Sequence, residues 1–320
     1  MSANQPLVSI CIPAYNCEQY IQQTLNCLCA QSYPTIELIM VNDGSSDRTL
    51  ALAESVNDAR LRIINVPNGG AAKARNIAYQ HAQGEYIIFF DADDYIQPDF
   101  ISRQVRQLDN RTDMVVLSGW GRFYNNDLST FKADHTPEGE ITFEEWINLY
   151  WHNYNSMTNP GRALIPATII EKAGLWNEEL SLNDDLEFFT RIFLNSRAIV
   201  FNTDVLFYYR SGLAGSLSDT KHRKAVLSAF QSINQATGNS LTVNHSEKAI
   251  GACANIWQGF IYDHYPNQPN LMKAAQEKIN KLGGSSLKFH AGGITKIMVA
   301  IIGWKATKRL KNIIKNRFFG

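Results

Sequence analysis

The sequence predicts an α/β protein built on a parallel sheet, and three observations carry that prediction. Over the first hundred residues, short apolar runs alternate with amphipathic stretches, the pattern of βαβ units with right-handed crossovers. One run, Tyr86-Ile87-Ile88-Phe89-Phe90, is aromatic or β-branched throughout, as a strand covered on both faces must be. Three of the runs end in polar loops: Tyr15-Asn16, Asn42-Asp43-Gly44 and Asp91-Ala92-Asp93-Asp94. In a parallel sheet such loops share the edge at the strands' carboxyl ends, where open α/β sheets bind ligands.

The elements follow in order. Residues 7–12 read as the first strand, stopping at Pro13-Ala14-Tyr15-Asn16. Residues 18–30 place Tyr20, Ile21, Thr24, Leu25 and Leu28 at helical spacing. A second strand, 37–41, runs into a turn where Ser46 or Asp47 can cap a helix over 48–56. A third strand spans 61–66. Asn68-Gly69-Gly70 then turns the chain into a helix over 71–83. The loop offers backbone N–H groups of the kind that hold phosphate. No G-x-G-x-x-G follows the first strand, which disfavours a dinucleotide fold.

Beyond Asp99 the alternation loosens. A helix is expected over 100–108, a strand over 114–117, an extended piece over 119–125, and a polar loop from 126 to 139. Thr142-Phe143-Glu144-Glu145 has a capping-box pattern. A short strand at 163–166 and a helix at 167–173 precede the helix opened by Asn183-Asp184-Asp185. Strands are expected at 198–201 and 206–210, then helices at 221–237, 246–262 and 271–282. Gly283-Gly284-Ser285-Ser286 is the best linker candidate.

Composition bounds the function. The formal net charge is zero, so no overall field points to nucleic acid. The five cysteines are odd in number and lack the spacing of a zinc site. Reduced thiols in a cytoplasmic protein are expected. No signal peptide is expected from the polar start, Met1 to Pro6, and no apolar run reaches membrane-spanning length.

The acidic clusters carry the chemistry. Two aspartates one residue apart, Asp91 and Asp93, can aim at one point past a strand end. A hard divalent cation bound to phosphates wants such oxygen ligands. The same acids could instead cap the turn before a helix opened by Pro98 and Asp99.

Four segments in order resemble the family 2 glycosyltransferases, inverting nucleotide-sugar enzymes with the Rossmann-like glycosyltransferase-A fold. They are Val8-Ser9-Ile10-Cys11-Ile12-Pro13-Ala14-Tyr15-Asn16, Val41-Asn42-Asp43-Gly44-Ser45-Ser46-Asp47, Gly69-Gly70-Ala71-Ala72-Lys73-Ala74-Arg75-Asn76 and Phe89-Phe90-Asp91-Ala92-Asp93-Asp94. The resemblance covers residues 7 to about 218. It implies a donor site that includes Pro13, Tyr15, Asn16, Asp43, Gly70, Arg75, Asp91, Ala92 and Asp94. Tyr15 would face the base, usually uracil, and Asp43 would accept a base N–H. Without the resemblance, Tyr15 is a half-buried loop aromatic and Asp43 an Asx-turn residue. Arg75 could reach a phosphate or a carboxylate, or sit on a solvated helix face. Asp91 would contact ribose or sugar, Asp93 would bind Mn2+ or Mg2+, and Asp94 would support the loop or touch the sugar.

Asp184-Asp185 stands where the family usually has Glu-Asp, with Arg191 six residues beyond the second acid. An inverting transfer needs one base for the acceptor hydroxyl. Asp185 is expected to be that base, with Asp184 as the alternative. Capping of the helix start would also place acids here. Relatives often carry a metal-binding histidine after the strand Phe207-Tyr208-Tyr209-Arg210. This chain has Ser211-Gly212-Leu213-Ala214-Gly215 there. Arg210 could hold diphosphate instead, and His222 is expected on a plain helix surface.

The expected organisation is a catalytic domain over 1–218, a helical extension over 219–284 and a basic amphipathic tail over 285–320. The tail has eight lysines and arginines and no acidic residue after Leu287. Such a segment can lie in the interface of an anionic membrane, or pack back on the protein with a wet basic face. The leading expectation is an enzyme moving a sugar from a UDP-sugar to a glycan or lipid-linked acceptor, peripheral on the inner face of the cell membrane. A nucleotidyltransferase on a similar sheet and a catalytically silent nucleotide-sugar-binding module are the alternatives.

Overall fold

The structure is a computed structural model and describes residues 5–155, 158–213 and 222–318. The chain divides into two units. One comprises residues 1–143 with 157–219, the other residues 144–156 with 220–320.

The first unit opens with β1 (Val8–Ala14), α1 (Ile21–Cys29), β2 (Ile36–Asp43), α2 (Thr49–Glu54), β3 (Leu61–Val66), α3 (Ala71–Gln80) and β4 (Tyr86–Phe89). These alternate as expected, and β1 pairs in parallel with both β2 and β4, while β2 pairs in parallel with β3. β1 and β4 are buried along their whole length, and β2 nearly so. Their runs of Val, Ile and Phe therefore reflect helices on both faces.

After the short β5 (Tyr95–Ile96) and α4 (Phe100–Leu108) come β6 (Met114–Tyr124), β7 (Asp127–Ala133) and β8 (Gly139–Ile141). Past α5 (Phe143–Leu149), which carries the chain into the second unit, β9 (Ala163–Pro166), α6 (Ala167–Ala173), α7 (Asp184–Leu194) and β10 (Ala198–Ser211) complete the fold. The sheet order is β3-β2-β1-β4-β9-β6-β10-β5, with β7 on β6 and β8 on β10. β9 pairs antiparallel with both β4 and β6, so the sheet is mixed beyond β4.

Two expectations are corrected here. The polar loop expected over 126–139 contains β7 and β8. β7 is largely exposed, and Leu128 and Phe131 among its polar residues give too weak an apolar signal to mark a strand. Asn125 and Asn126 both have positive φ, 55° and 57°, and Tyr124 pairs with Asp127. That is a two-residue hairpin turn of the kind Asn tolerates. The two pieces expected over 198–210 are one strand, β10. A register shift between Asn202 and Leu206 against β6 breaks its pattern in the sequence.

The second unit is helical: α8 (Arg223–Val243), α9 (Glu247–His264), α10 (Pro269–Lys281) and α11 (Gly293–Phe318). His222 is exposed at the start of α8, as expected for a surface residue, and is also its N-cap, with Nδ1 accepting from the Ala225 N–H. Ser246 caps α9 in the same way. The expected linker is not a free one. Oδ1 of the buried Asn255 accepts from Ser285 Oγ at 2.7 Å, Ser286 N at 3.0 Å and Leu287 N at 3.2 Å. A buried amide needs such partners, and these fasten the segment to α9. All five cysteines are free.

Candidate active site

The carboxyl ends of β1, β2 and β4 bring the expected residues to one edge. Pro13 is buried inside β1. Tyr15 is 53% exposed, a ring held beyond the sheet. Asn16 adopts φ 46° and stitches two loops together: its Oδ1 accepts from Ser46 N at 2.8 Å, and its N–H donates to Ser45 Oγ at 3.0 Å.

Asp43 is buried at the end of β2. Its Oδ1 accepts from Gly69 N at 2.7 Å, and its Oδ2 from Gly70 N at 2.8 Å and Asn68 Nδ2 at 3.1 Å. The glycine N–H groups expected to be free for phosphate are therefore held by Asp43. A carboxylate has further lone-pair sites, so Asp43 can still accept from a base. Gly70 sits at φ +94°, a conformation that side chains rarely tolerate, and α3 starts directly after it.

Arg75, one turn into α3, lies at the centre of the site and is only 6% exposed. Its Nη2 donates to Asp91 Oδ1 at 2.7 Å and its Nη1 to Asp184 Oδ2 at 2.9 Å. The guanidinium carbon lies 4.4 Å from the centre of the Trp176 ring. Burial works against its charge, but Asp91 and then Asp184 outweigh burial and hold it protonated. The neighbouring Asn76 fixes this arrangement. Its Nδ2 donates to the Trp176 carbonyl, and its Oδ1 accepts from Trp176 N, both at 2.9 Å. Trp176 stacks on Phe188 of α7 at 4.0 Å and meets Phe89 of β4 edge-on at 5.4 Å. One aromatic block thus joins α3, β4 and α7.

Past β4, the Asp94 N–H donates to the Asp91 carbonyl at 3.2 Å, which closes a turn around the buried Ala92. Asp93 is half-buried. Among the described residues its carboxylate has no ion pair and no side-chain hydrogen-bond partner. Burial, then the Asp91 charge, pushes it up to about 7. Asp94 is fully buried and is pushed well above the usual carboxylate range by burial and by Asp93 and Asp91. Its Oδ1 accepts from Arg210 N at 2.9 Å, so its observed contact is with the loop-supporting strand β10.

Arg210 is buried between the rings of Tyr20 and Phe123. Its Nε donates to the Asp93 carbonyl at 2.5 Å, its Nη2 to Gln23 Oε1 at 2.7 Å and its Nη1 to Asn126 Oδ1. The guanidinium braces the Asp93 turn from below and does not stand open for diphosphate. The loop that follows, 214–221, including Ser216-Leu217-Ser218, lies outside the described residues.

At the start of α7 the two acids differ. Asp184 pairs with Arg75 and its Oδ1 accepts from Asp185 N at 3.1 Å. Asp185 accepts from Thr158 N at 3.3 Å and has no ion pair among the described residues. Burial, then the Asp184 charge, pushes Asp185 up to about 7. Arg191 points elsewhere. It binds Glu187 at 2.6 Å and the carbonyls of Ala173, Gly174 and Leu175, tying α7 to the end of α6.

Trp176, Asn76 and Thr158 were not visible as site residues in the sequence. Their partners are remote along the chain. Asn76 ends the Gly69–Asn76 segment that carries the resemblance, where no role was read for it, and no local motif marks Trp176 or Thr158. Among the described residues, no group of three or more His, Cys, Asp or Glu side chains is arranged to hold a metal ion alone. The unpaired Asp93 carboxylate beside Asp91 fits a cation that takes most of its ligands from diphosphate and water, as Mg2+ does.

The chain is 28% identical to a Bacillus subtilis protein named uncharacterized glycosyltransferase EpsJ, covering 98% of this chain and 96% of that one. It is 46% identical over 126 residues to the chondroitin synthase of Pasteurella multocida, covering 39% of this chain and 13% of the synthase. Among solved structures, S. aureus TarS 1–349 in complex with UDP-GlcNAc superposes with a TM-score of 0.69 at 21% identity. That match covers 86% of this chain and 81% of the 1–349 chain. It shows that the two share a fold. The family model described as Glycosyl transferase family 2 matches residues 9–170, from β1 through the Asp91–Asp94 turn to α6, and the chain belongs to that family.

Proposed function

We propose that this enzyme is an inverting glycosyltransferase that moves a hexosyl or N-acetylhexosaminyl group from a UDP-sugar to a hydroxyl of a glycan or lipid-linked acceptor. Its product would be a cell-surface polysaccharide. The observation that carries this reading is the Arg75 bridge between Asp91 and Asp184. It joins the turn suited to a donor diphosphate to the helix start suited to a base, and among the described residues neither Asp93 nor Asp185 has an ion pair. The UDP-GlcNAc held by TarS and the polymer named in chondroitin synthase support the donor and product classes.

In this mechanism Tyr15 and Asp43 receive the base. Asp91 orients ribose or sugar. Mn2+ or Mg2+, held through Asp93 with Asp91 beside it, would offset the charge on the departing diphosphate. The acceptor oxygen attacks the anomeric carbon from the face opposite the diphosphate. Its proton passes to Asp185. The bond between the anomeric carbon and the diphosphate oxygen breaks, and its electron pair leaves with UDP. One displacement inverts the anomeric centre.

The reading also places the enzyme on the cytoplasmic face of the cell membrane, as a peripheral protein at an anionic surface. In support, the sequence after Leu287 has no carboxylate, and no described helix is long and apolar enough to cross a membrane. The test of the catalytic reading is product identity. With UDP-sugars, a divalent cation and an acceptor extract, the expected nucleotide product is UDP and the new linkage is inverted. Release of pyrophosphate, or retention of anomeric configuration, would overturn it.

A further inference from the structure

The tail does not form the single straight helix its sequence suggests. α11 is broken at Gly303, which takes φ 75° and ψ 161°. Lys311 Nζ donates to Thr295 Oγ1 at 2.6 Å. Sixteen residues along an unbroken α-helix would separate these positions by about 24 Å. The two arms, 293–302 and 304–318, are therefore folded back on one another at the glycine.

The second arm is fastened to its own unit near the bend. Trp304 packs against Tyr262, Tyr265 and Phe289 at 4.9–5.7 Å. Thr307 is buried, and Lys308 Nζ donates to the Tyr262 carbonyl. Away from that contact the apolar residues face outward. Ile294, Ile297 and Ile301 form one exposed stripe on the first arm, and Leu310, Ile313 and Ile314 another on the second. The spacings are i, i+3, i+7 and i, i+3, i+4, each one face of a helix. Together these stripes exceed the scattered exposure usual for a soluble surface.

Charge selects the occupant. From Leu287 to Gly320 the segment has eight basic residues and no acidic one. A second copy would bring like charge against like charge. An anionic leaflet offers both an apolar interior and a negative surface. We propose that α11 is a folded amphipathic wedge whose two arms enter one leaflet of an anionic bilayer together, with Gly303 holding them in a single docking face. This rests on the membrane-surface part of the proposed function, and it adds the two-armed geometry and the residues that enter. Holding the enzyme on the surface raises its effective concentration toward a lipid-linked acceptor.

The test uses the full chain and vesicles of phosphatidylcholine with or without one part in roughly three of phosphatidylglycerol, read by flotation. This composition provides the surface charge that attracts basic segments. Binding is expected only with the anionic lipid. The pairs Ile297→Asn with Ile301→Asn, and Ile313→Asn with Ile314→Asn, should each lower the bound fraction about tenfold or more. Gly303→Ala should also lower it, although it removes neither charge nor apolar surface, because alanine resists the positive φ. UDP release from donor should stay unchanged in every variant, so a failure of flotation alone speaks against the wedge and not against the glycosyltransferase reading. Equal flotation on neutral vesicles, arm variants that bind like the parent, or Gly303→Ala binding undiminished would overturn the wedge. So would a non-floating dimer that the arm substitutions split.

Discussion

The two acidic regions of the site are built alike, each with one acid paired to the same cation, and differ in their surroundings. At the end of β4, Asp91 is paired to Arg75 and Asp93 is not. At the start of α7, Asp184 is paired to Arg75 and Asp185 is not. On the proposed reading, in each region the paired acid positions and the unpaired acid takes part in the chemistry. The difference lies in what each unpaired acid faces. Asp93 sits beside Asp91 and above the Arg210 brace, a setting for a metal and diphosphate. Asp185 has a backbone N–H from Thr158 and a raised pKa, a setting for proton transfer. On this reading, chemically equivalent residues receive different roles from their surroundings.

The largest effect expected from breaking this comparison is at the base. Asp185→Asn should lower kcat by about two to four orders of magnitude, the scale of general-base catalysis, while a thermal-shift titration with UDP stays close to the parent's. Next comes the metal side. Asp93→Ala, or excess chelator with the parent enzyme, should abolish donor stabilisation by a UDP-sugar and activity together, and Mn2+ or Mg2+ should restore the parent only. Full activity in excess chelator would remove Asp93 from its role.

Arg75 tests whether one cation supports both regions. Arg75→Met leaves Asp91 and Asp184 without their partner and should cost about 3–5 kcal/mol of stability, seen as a fall in Tm. Arg75→Lys keeps the charge but cannot span both carboxylates as a planar fork. It should regain most of the stability and little of the activity. If lysine restores kcat fully, the bridge geometry is irrelevant. The smallest effect is expected at Trp176. Trp176→Leu keeps an apolar side chain and removes the ring under Arg75, an interaction worth about 1–2 kcal/mol in a desolvated setting. Activity should fall less than in Arg75→Met.

How far the sequence revealed these features depended on range. The strands β1, β2 and β4 were legible because burial on both faces imposes continuous apolar runs. The acids were legible because they stand at strand and helix ends. β7 was hidden because an exposed strand keeps few apolar residues, here Leu128, Phe131 and Ala133, although Asn125-Asn126 carried a turn signal. The role of Arg75 was open for another reason. Its partners lie 16 and 109 residues away, and only the packing of Trp176 on Phe188 and Phe89 brings them together. The same holds for Arg210, which stood as a candidate diphosphate ligand in the sequence and is a buried brace in the fold. The bend at Gly303 was also hidden, because a glycine inside an amphipathic run reads as a weak helix residue until its φ is known.

The central claim is that Asp185 is the base and Asp184 its positioned neighbour. The pH dependence of kcat at saturating donor and acceptor tests it directly. A base must be ionised to act, so turnover should be lost as pH falls below the raised Asp185 value of about 7 and should level off above it. Asp184→Asn removes the neighbouring charge that helps raise Asp185. That variant should keep an acid limb displaced to lower pH, and Asp185→Asn should have none. A parent profile flat from about pH 5.5 to 8.5, across the range where such a base titrates, would contradict the claim, as would an acid limb that persists in Asp185→Asn and vanishes in Asp184→Asn.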